Sequence, residues 1–315
     1  MRTAPQTVDR AAIAAAAERI AGHARLTPVL TVDGDIFGAD APVVLKLELT
    51  QHSGSFKARG AFNRILSNDV PRSGVVAASG GNAGAAVAYA ARKLRHHAEV
   101  FVPQATPKVK IDRLRAFGAE VFIGGAGYAD ALVASDLRRA ETGALSVHAY
   151  DQPEVVAGQG TVAAELSVQA PELDTVLVAV GGGGLIAGVA TWMGTTTRVV
   201  AVEPIRAPTL HAALAAGEPV DVDVGGAAAD SLGARRIGAI AWAVAQSLVD
   251  RSVLVPDEAI MDARRRLWDH TRVAAEPGGA CALAAITSGA YRPSPGERVG
   301  LIVCGGNTDP ASLAS

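Results

Sequence analysis

Residues 175–190 read TVLVAVGGGGLIAGVA: a β-branched apolar run, then four consecutive glycines, then an alanine-rich segment. The apolar run predicts a buried strand and the alanine-rich segment predicts a helix, so the glycines form the turn of a βα unit. Four glycines are costly in chain entropy unless the backbone must approach another group closely. We expect that group to be a phosphate, because free N–H groups at a helix start bind anions.

The same alternation of strand and helix runs through most of the chain. It predicts an α/β protein with mostly parallel sheets flanked by helices. The β-branched runs are residues 75–78, 99–102, 120–123, 175–180, 198–202 and 298–304. The first three, with helices at about 82–94, 107–117 and 128–141, predict a small α/β domain at 74–149. Residues 1–70 and 150–315 would form a larger domain, with a ligand cleft between the two.

Composition excludes several classes of function. The chain has 315 residues, a formal net charge of −2 and 49% hydrophobic residues, which gives no electrostatic attraction to nucleic acid or to anionic membranes. It contains no apolar run of about eighteen residues, and the N-terminal MRTAPQTVDR lacks the apolar core of a signal peptide. We therefore expect a cytoplasmic protein with no membrane or nucleic-acid partner. The two cysteines, Cys281 and Cys304, have no metal-ligand spacing.

A second glycine turn lies in residues 75–91, VVAASGGNAGAAVAYAA. Ser79, Gly80, Gly81 and Asn82 open a helix that begins near Ala83, so backbone N–H groups there would bind a carboxylate or a phosphate. The alternative for both turns is a tight βα connection with an N-cap at Ser79 or Asn82. That alternative explains one glycine but not four.

One lysine is placed as a reactive amine. Residues 53–60 read SGSFKARG, and Lys57 stands at the start of an amphipathic helix predicted over 57–66. The positive end of that helix and burial against Phe56 both lower the pKa of the amine, which favours a Schiff base with an aldehyde. The other four lysines are predicted to lie on the surface; Lys46, in the alternating VVLKLEL, is expected to face solvent or to pair with Glu48.

The tetraglycine turn also fits another class of enzyme. Gly182, Gly184 and Ala187 match the relaxed dinucleotide fingerprint, and Glu203 ends the next strand about twenty residues later. A nicotinamide-dependent oxidoreductase is therefore an alternative, although it leaves SGSFK and SGGNAG unexplained.

Taken together, the motifs resemble the fold-type II family of pyridoxal-phosphate enzymes, a two-lobed, tryptophan synthase β-like fold, and within it the serine/threonine dehydratase and serine racemase branch. The resemblance covers nearly the whole chain. It is carried by SGSFKARGA (53–61), SGGNAG (79–84), AGQGT (157–161), GGGGLIAG (181–188), EP (203–204), EPGGA (276–280) and CGGN (304–307).

The resemblance implies that the larger domain binds pyridoxal 5'-phosphate, with Lys57 as the Schiff-base lysine and catalytic base. The implied cofactor contacts are Phe56, Lys57, Asn82 on the 3-hydroxyl, Gly181, Gly182, Gly183 and Gly184 with the Leu185 amide on the phosphate, Glu276 near the ring, and Cys304 at the pyridine nitrogen. A structural salt bridge is an equal alternative for Glu276. The implied substrate contacts are Ser79, Gly80, Asn82 and Ala83, with Gln159 and Gly160 bordering the pocket.

The activity implied is elimination of the β-hydroxyl of L-threonine, L-serine or a close analogue, giving a 2-oxo acid and ammonia. A thiol at Cys304 does not stabilise a protonated pyridine, which favours prompt loss of the β-substituent. A serine racemase and a β-replacement enzyme of the cysteine synthase type are the alternatives within the family. The resemblance also implies a homodimer.

Several positions depart from the family pattern. Gly80 stands where racemases carry the serine that protonates the far face, so we expect little racemisation, and Ala83 replaces a histidine of many relatives. Thr209 stands where serine racemase has a cation-binding aspartate, so no metal is expected beyond a weak site at Glu203 and the Ala207 carbonyl. Because the chain stops at Ser315, we also expect no C-terminal regulatory domain.

Overall fold

The computed structural model describes residues 7–313; residues 1–6 and 314–315, which the predicted larger domain includes, lie outside the described residues. The strands are β1 (Val29–Val32), β2 (Val43–Lys46), β3 (Val75–Ala78), β4 (Ala98–Val102), β5 (Glu120–Ile123), β6 (Leu145–Ser146), β7 (Thr175–Ala179), β8 (Arg198–Pro204), β9 (Arg251–Val255) and β10 (Val299–Ile302). The helices are α1 (Arg10–Ile20), α2 (Lys57–Leu66), α3 (Asn82–Lys93), α4 (Lys108–Ala116), α5 (Tyr128–Thr142), α6 (Pro153–Gln169), α7 (Gly184–Met193), α8 (Thr209–Ala216), α9 (Ala229–Leu232), α10 (Ala239–Leu248), α11 (Asp257–Thr271) and α12 (Pro277–Thr287).

The strands form two sheets, which confirms the predicted α/β class. The larger sheet has the order β1-β2-β10-β7-β8-β9, with only β1 and β2 antiparallel; the smaller has the order β5-β4-β3-β6 and is parallel throughout. All strands of the smaller sheet fall between residues 75 and 146, and those of the larger sheet come from both sides of it. The domain limits at 74 and 149 stay a prediction. Among the described helices, none has both the length and the apolar character needed to cross a bilayer.

Helix α2 joins the core of the smaller sheet although it precedes residue 70. Its residues Ala58, Phe62 and Ile65 are buried in one apolar cluster with Val75 of β3 and Val100 of β4. Helix α2 also packs on α6. The helix that carries Lys57 at its start is therefore held by the core of the smaller sheet and by α6.

The turns at the carboxyl ends of three parallel strands supply most of the candidate site. The tetraglycine turn follows β7, Cys304 follows β10, and Ser79 follows β3. Parallel strands bring their carboxyl ends to one edge of a sheet, where ligands bind in α/β proteins.

Lys46 does not face solvent and forms its ion pair with Glu165 instead of Glu48, so both alternatives predicted for it are wrong. Its side chain is fully buried, and Nζ donates to Glu165 Oε2 at 2.6 Å, to Gln169 Oε1 at 2.7 Å and to the Thr27 carbonyl oxygen at 2.8 Å. The alternation in VVLKLEL is misleading because β2 lies between β1 and β10 and all four of its residues are buried. A strand that is covered on both faces has no solvent-facing side, so alternation in its sequence does not show which residues are exposed.

Arg59 completes a buried ionic cluster around Lys46. Its guanidinium donates to Glu48 Oε1 at 2.7 Å and Oε2 at 2.8 Å, and to Glu165 Oε1 at 2.6 Å. We call Lys46, Glu48, Arg59 and Glu165 the ionic tetrad. Because Arg59 lies two residues after Lys57, the tetrad holds the first turn of α2 in place.

Candidate active site

Lys57 is the first residue of α2, as predicted, with Phe56 as the N-cap residue. Its side chain is partly buried, and Nζ donates to the Ala149 carbonyl oxygen at 2.6 Å and lies 5.1 Å from the centroid of the Phe56 ring. Burial lowers the pKa of the Lys57 amine to about 8, although the nearby Cys304 and Glu276 oppose this. About a tenth of the amine is therefore neutral and nucleophilic at pH 7, far more than for an ordinary lysine.

The tetraglycine turn exposes a row of backbone donors. Strand β7 ends at Ala179, helix α7 begins at Gly184, and Gly183 adopts a left-handed φ of 88°. The amide N–H groups of Gly181 to Leu185 have no protein hydrogen-bond acceptor within residues 7–313. Free N–H groups at the start of a helix form an anion site, and a phosphate suits it.

The glycines themselves are explained by protein packing. A Cβ on Gly181 would come within 2.9 Å of the Leu232 backbone, and one on Gly183 within 2.4 Å of the Ala241 methyl. A Cβ on Gly182 would lie 2.4 Å from the ring of Tyr150. The glycines thus admit three other segments of the chain, while the N–H groups of the turn stay free for a ligand.

The segment 149–150 connects Lys57 to this turn. Ala149 accepts the hydrogen bond from Lys57 Nζ, and the next residue, Tyr150, packs on Gly182. The amine and the anion cradle therefore lie on either side of one short segment. An aldehyde-reactive amine beside a phosphate site fits pyridoxal phosphate.

Two buried acids face the same amine. Cys304 Sγ donates to the Gly278 carbonyl oxygen at 3.4 Å, and burial raises the pKa of this thiol well above its ordinary value, so it stays neutral. Burial also raises the pKa of Glu276 to about 7, against the lowering effect of hydrogen bonds from Asn82 and from the Asn307 backbone. The cofactor roles implied for Cys304 and Glu276 stay predictions.

Asn82 is held at both ends of its carboxamide. Its Nδ2 donates to Glu276 Oε1 at 2.6 Å, and its Oδ1 accepts from Asn307 Nδ2 at 2.6 Å. A carboxamide nitrogen has two N–H groups, so Asn82 keeps one donor for a ligand.

The start of α3 offers a second set of free donors. The helix begins at Asn82, and the amides of Asn82 and Ala83 have no acceptor among the described residues. Ser79 Oγ accepts from the Gly81 amide at 3.2 Å. A Cβ on Gly80 would come within 2.9 Å of the Thr106 methyl carbon. The free amides are consistent with an anion site, and the binding of a carboxylate there stays a prediction.

Gln159 and Gly160 lie in helix contacts. Gln159 Oε1 accepts from the Gly60 amide at 3.3 Å, and its buried Nε2 has no partner among the described residues. A Cβ on Gly160 would meet Ile13 of α1 at 2.7 Å and the Gly188 carbonyl oxygen at 3.0 Å. The structure gives both residues packing roles, and the pocket-bordering role implied for them stays a prediction.

Glu203 already has protein donors on both carboxylate oxygens. Oε1 accepts from the Leu210 amide at 2.8 Å, and Oε2 accepts from the His211 amide at 2.8 Å and from Ser252 Oγ at 2.6 Å. The Ala207 carbonyl accepts from the Thr209 amide at 3.2 Å. The weak cation site predicted at Glu203 and Ala207 therefore gains no support from the geometry, and Glu203 anchors the start of α8.

Several residues that shape the site were not singled out from the sequence. Ala149 acts through its carbonyl group and Tyr150 through its ring, and neither belongs to a recognisable motif. Thr209 Oγ1 donates to the Gly181 carbonyl oxygen at 2.6 Å, although the sequence marked Thr209 only as a departure from the family pattern. Asn307 was visible as the last residue of CGGN.

Comparison with known proteins agrees with this geometry. The profile of the family described as pyridoxal-phosphate dependent enzyme matches residues 20–305. The L-threonine ammonia-lyase of Geobacter sulfurreducens is 37% identical over 278 residues, which cover 87% of this chain and 69% of that protein. The structure of maize serine racemase superposes with a TM-score of 0.92 at 34% identity, covering 98% of this chain and 96% of that one. A threonine deaminase structure, from T.th., gives a TM-score of 0.89 at 36% identity, covering 96% of this chain and 99% of that one.

One conclusion follows from a profile match over most of the chain, relatives above 30% identity and a partly buried lysine near the free amides of the tetraglycine turn. The chain belongs to the fold-type II family of pyridoxal-phosphate dependent enzymes.

Proposed function

We propose that this enzyme is an ammonia-lyase that removes the β-hydroxyl group of L-threonine, L-serine or a close analogue. The observation that carries the proposal is the buried Lys57 amine, held by the Ala149 carbonyl beside the free amides of the tetraglycine turn. The threonine ammonia-lyase and threonine deaminase among its relatives support this reaction.

The cofactor is held from three sides in this proposal. The amides of Gly181 to Leu185 would bind its phosphate, Lys57 would hold its aldehyde group with Phe56 alongside, and Asn82 would donate its remaining N–H to the ring hydroxyl. Cys304 would meet the pyridine nitrogen as a neutral thiol, and Glu276 would lie beside the ring. Once bound, pyridoxal phosphate withdraws electrons from the substrate Cα, which eases loss of its proton and of the β-substituent.

Lys57 Nζ is the base that takes the α-proton in this scheme. Its pKa, lowered by burial to about 8, leaves enough neutral amine for the task. The substrate carboxylate binds at the start of α3, to the amides of Asn82 and Ala83 and the hydroxyl of Ser79. The β-hydroxyl leaves as water, its added proton balanced by the one taken from Cα, and hydrolysis of the released product takes up one water. L-Threonine thus gives 2-oxobutanoate and ammonium with no net gain or loss of atoms.

Gly80 favours elimination over racemisation. A racemase needs an acid on the face of Cα opposite Lys57, and a glycine there has no side chain to supply one. Loss of the β-hydroxyl needs only the lysine face. The serine racemase among the relatives makes racemisation the second candidate, which the same assay tests.

The test is a panel of β-substituted amino acids with the purified holoenzyme. We expect 2-oxobutanoate and ammonia from L-threonine, 2-oxo acid from L-serine, and negligible D-serine. Formation of D-serine faster than pyruvate would overturn the assignment. Incorporation of sulfide into O-acetylserine would indicate a β-replacement enzyme. Sedimentation equilibrium tests the proposed homodimer.

A further inference from the structure

A basic side chain of α4 forms hydrogen bonds within the candidate active site. Arg113 is half-buried, and its Nη2 donates to the Ser53 carbonyl oxygen at 2.7 Å and also to Asn307 Oδ1. Ser53 lies just before α2 and Asn307 just after β10, so Arg113 ties α4 to two segments of the cofactor site. Arg115, two residues along the same helix, has an exposed side chain whose nearest acid is Asp112 at 3.9 Å.

The hydrogen bonds from Arg113 run in one direction only. A guanidinium group can only donate, so Asn307 must turn its carbonyl oxygen toward Arg113. Its nitrogen then donates to Asn82 Oδ1 at 2.6 Å and to the Ser53 carbonyl oxygen at 2.9 Å. Asn82 in turn must offer its nitrogen to Glu276. A single charged donor thus sets the orientation of both carboxamides.

The backbone is shaped to admit this chain of bonds. Gly54 has a left-handed φ of 77°, and a Cβ there would lie 2.1 Å from Asn307 Oδ1 and 3.3 Å from Arg113 Nη2. A Cβ on Gly305 would lie 2.1 Å from Glu276 Oε1. Both glycines belong to motifs that the sequence analysis assigned to the cofactor site, and here they make room for the donor chain. A cavity of about 70 Å³ lies beside it.

The charge of Arg113 also affects Glu276, the last acceptor in this chain of hydrogen bonds. Arg113 and Lys110 lower the pKa of Glu276, against the larger effect of burial. The other groups that interact electrostatically with this carboxyl group are Arg264, Lys57 and Cys304. Removing the charge of Arg113 therefore raises the pKa of Glu276 further.

We propose that Arg113 is a positioning residue that, through Asn307, fixes the Asn82 carboxamide so that its free N–H faces the cofactor. The inference goes beyond the proposed reaction. It depends on the cofactor of the family and not on the identity of the substrate, so it can hold or fail independently of the ammonia-lyase assignment.

The test is Arg113→Met, which keeps the aliphatic stem and removes the donors and the charge. Equilibrium dialysis of the holoenzyme against pyridoxal phosphate gives the Kd, which we expect to rise about tenfold, the usual scale for loss of a charge-assisted hydrogen bond. A pH titration of the visible absorption of the bound cofactor gives a midpoint, which we expect to move upward by about half a unit or more as the pKa of Glu276 rises.

Arg115→Met is the matched control on the same helix and should change neither quantity. Arg113→Lys keeps the positive charge but lacks the planar pair of N–H donors. We therefore expect it to have the wild-type pH midpoint and a Kd about threefold higher than in the wild type. In an Asn307→Ala background, Arg113→Met should raise Kd by less than about twofold, because the coupling passes through Asn307.

Three results would overturn the inference. The first is a wild-type Kd and midpoint in Arg113→Met. The second is an undiminished effect of Arg113→Met in the Asn307→Ala background, which would mean that Arg113 acts by another route. The third is an unchanged Kd in Arg113→Lys, which would contradict a role for the planar donor pair. This measurement decides the question if Arg113→Met does not fold.

Discussion

The ring of Tyr150 packs so closely on Gly182 that a methyl group on that glycine would lie 2.4 Å from two of its carbon atoms. The contact fixes the segment that follows Ala149, whose carbonyl holds the Lys57 amine. The Tyr150 ring thus sets the position of the Lys57 amine relative to the tetraglycine turn.

Gly182→Ala should therefore displace Tyr150 and weaken cofactor binding about tenfold or more, because the contact is far below van der Waals distance. Equilibrium dialysis against pyridoxal phosphate measures the change. Tyr150→Ala in the same chain should recover part of the loss. The control is Gly124→Ala, where the added methyl meets nothing within 4 Å and φ, like that of Gly182, is not left-handed. An equal effect of the control would mean that the loss of a turn glycine, and not the ring contact, is responsible.

The pKa of Lys57 can be followed in cofactor capture by the apoenzyme. Only the neutral amine condenses with an aldehyde, and burial lowers its pKa from 10.5 to about 8. The rate of capture should therefore rise with pH up to a midpoint near 8 and level off above it. Stopped-flow absorbance measures the rate, with a lysine peptide as the unburied control. A midpoint near 10 would contradict the burial argument.

Lys57→Ala should lower 2-oxo acid release by about 10²-fold to 10⁴-fold, the range for loss of a general base, and by more if cofactor attachment is also lost. Borohydride reduction of the wild-type holoenzyme followed by peptide mapping should place the cofactor on Lys57. A label on Lys46 or Lys108 would reject the assignment.

Arg59→Met should lower the free energy of unfolding by about 3–5 kcal/mol, because it leaves Glu48 charged and unpaired in the interior. Urea denaturation measures the loss. The control is Lys108→Met on the exposed pair with Asp112, which should cost less than about 1 kcal/mol. Arg59→Met with Glu48→Gln should recover part of the stability, since the second change removes the unpaired charge. A loss in the single variant no larger than in the control would show that the tetrad is not stabilising.

We expect Gly80→Ser to introduce racemisation only when the neighbouring Thr106 side chain is shortened to make room for the serine. A Cβ at residue 80 would lie 2.9 Å from Thr106 Cγ2, so the serine has to compete with that methyl group. We expect Gly80→Ser with Thr106→Ala to raise D-serine formation from L-serine about tenfold or more, and Thr106→Ala alone to leave it unchanged. Chiral chromatography measures the product. No rise in the double variant would place the far-face acid elsewhere.

Local sequence patterns sufficed for the elements that carry the site. The helix predicted over 57–66 is confirmed, and the three predicted helices after β3, β4 and β5 begin and end within one residue or so of the observed ones. Strong periodicity, good helix formers and glycine punctuation define these elements without help from distant residues.

Contacts between distant segments could not be predicted in the same way. Asn82 bonds to Glu276 and Asn307, which are 194 and 225 residues away along the chain. Arg113 lies among charged neighbours on α4 and has the spacing of a surface residue, yet it reaches the Ser53 carbonyl. The solvent exposure predicted for Lys46 was wrong because alternation indicates exposure only in a strand with one solvent-facing side. All four residues of β2 are buried, so β2 has no such side. Each of these positions is decided by what the fold brings against it.

The charges of Lys46, Glu48, Arg59 and Glu165 sum to zero in a cluster of which only Glu165 is partly exposed to solvent. Replacing any one of these residues with a neutral residue leaves an oppositely charged partner without its counter-ion. Replacing one cation and one anion together does not. Over evolutionary time these four sites are therefore constrained to change in concert, so that lineages descended from this enzyme should lose a cation and an anion together.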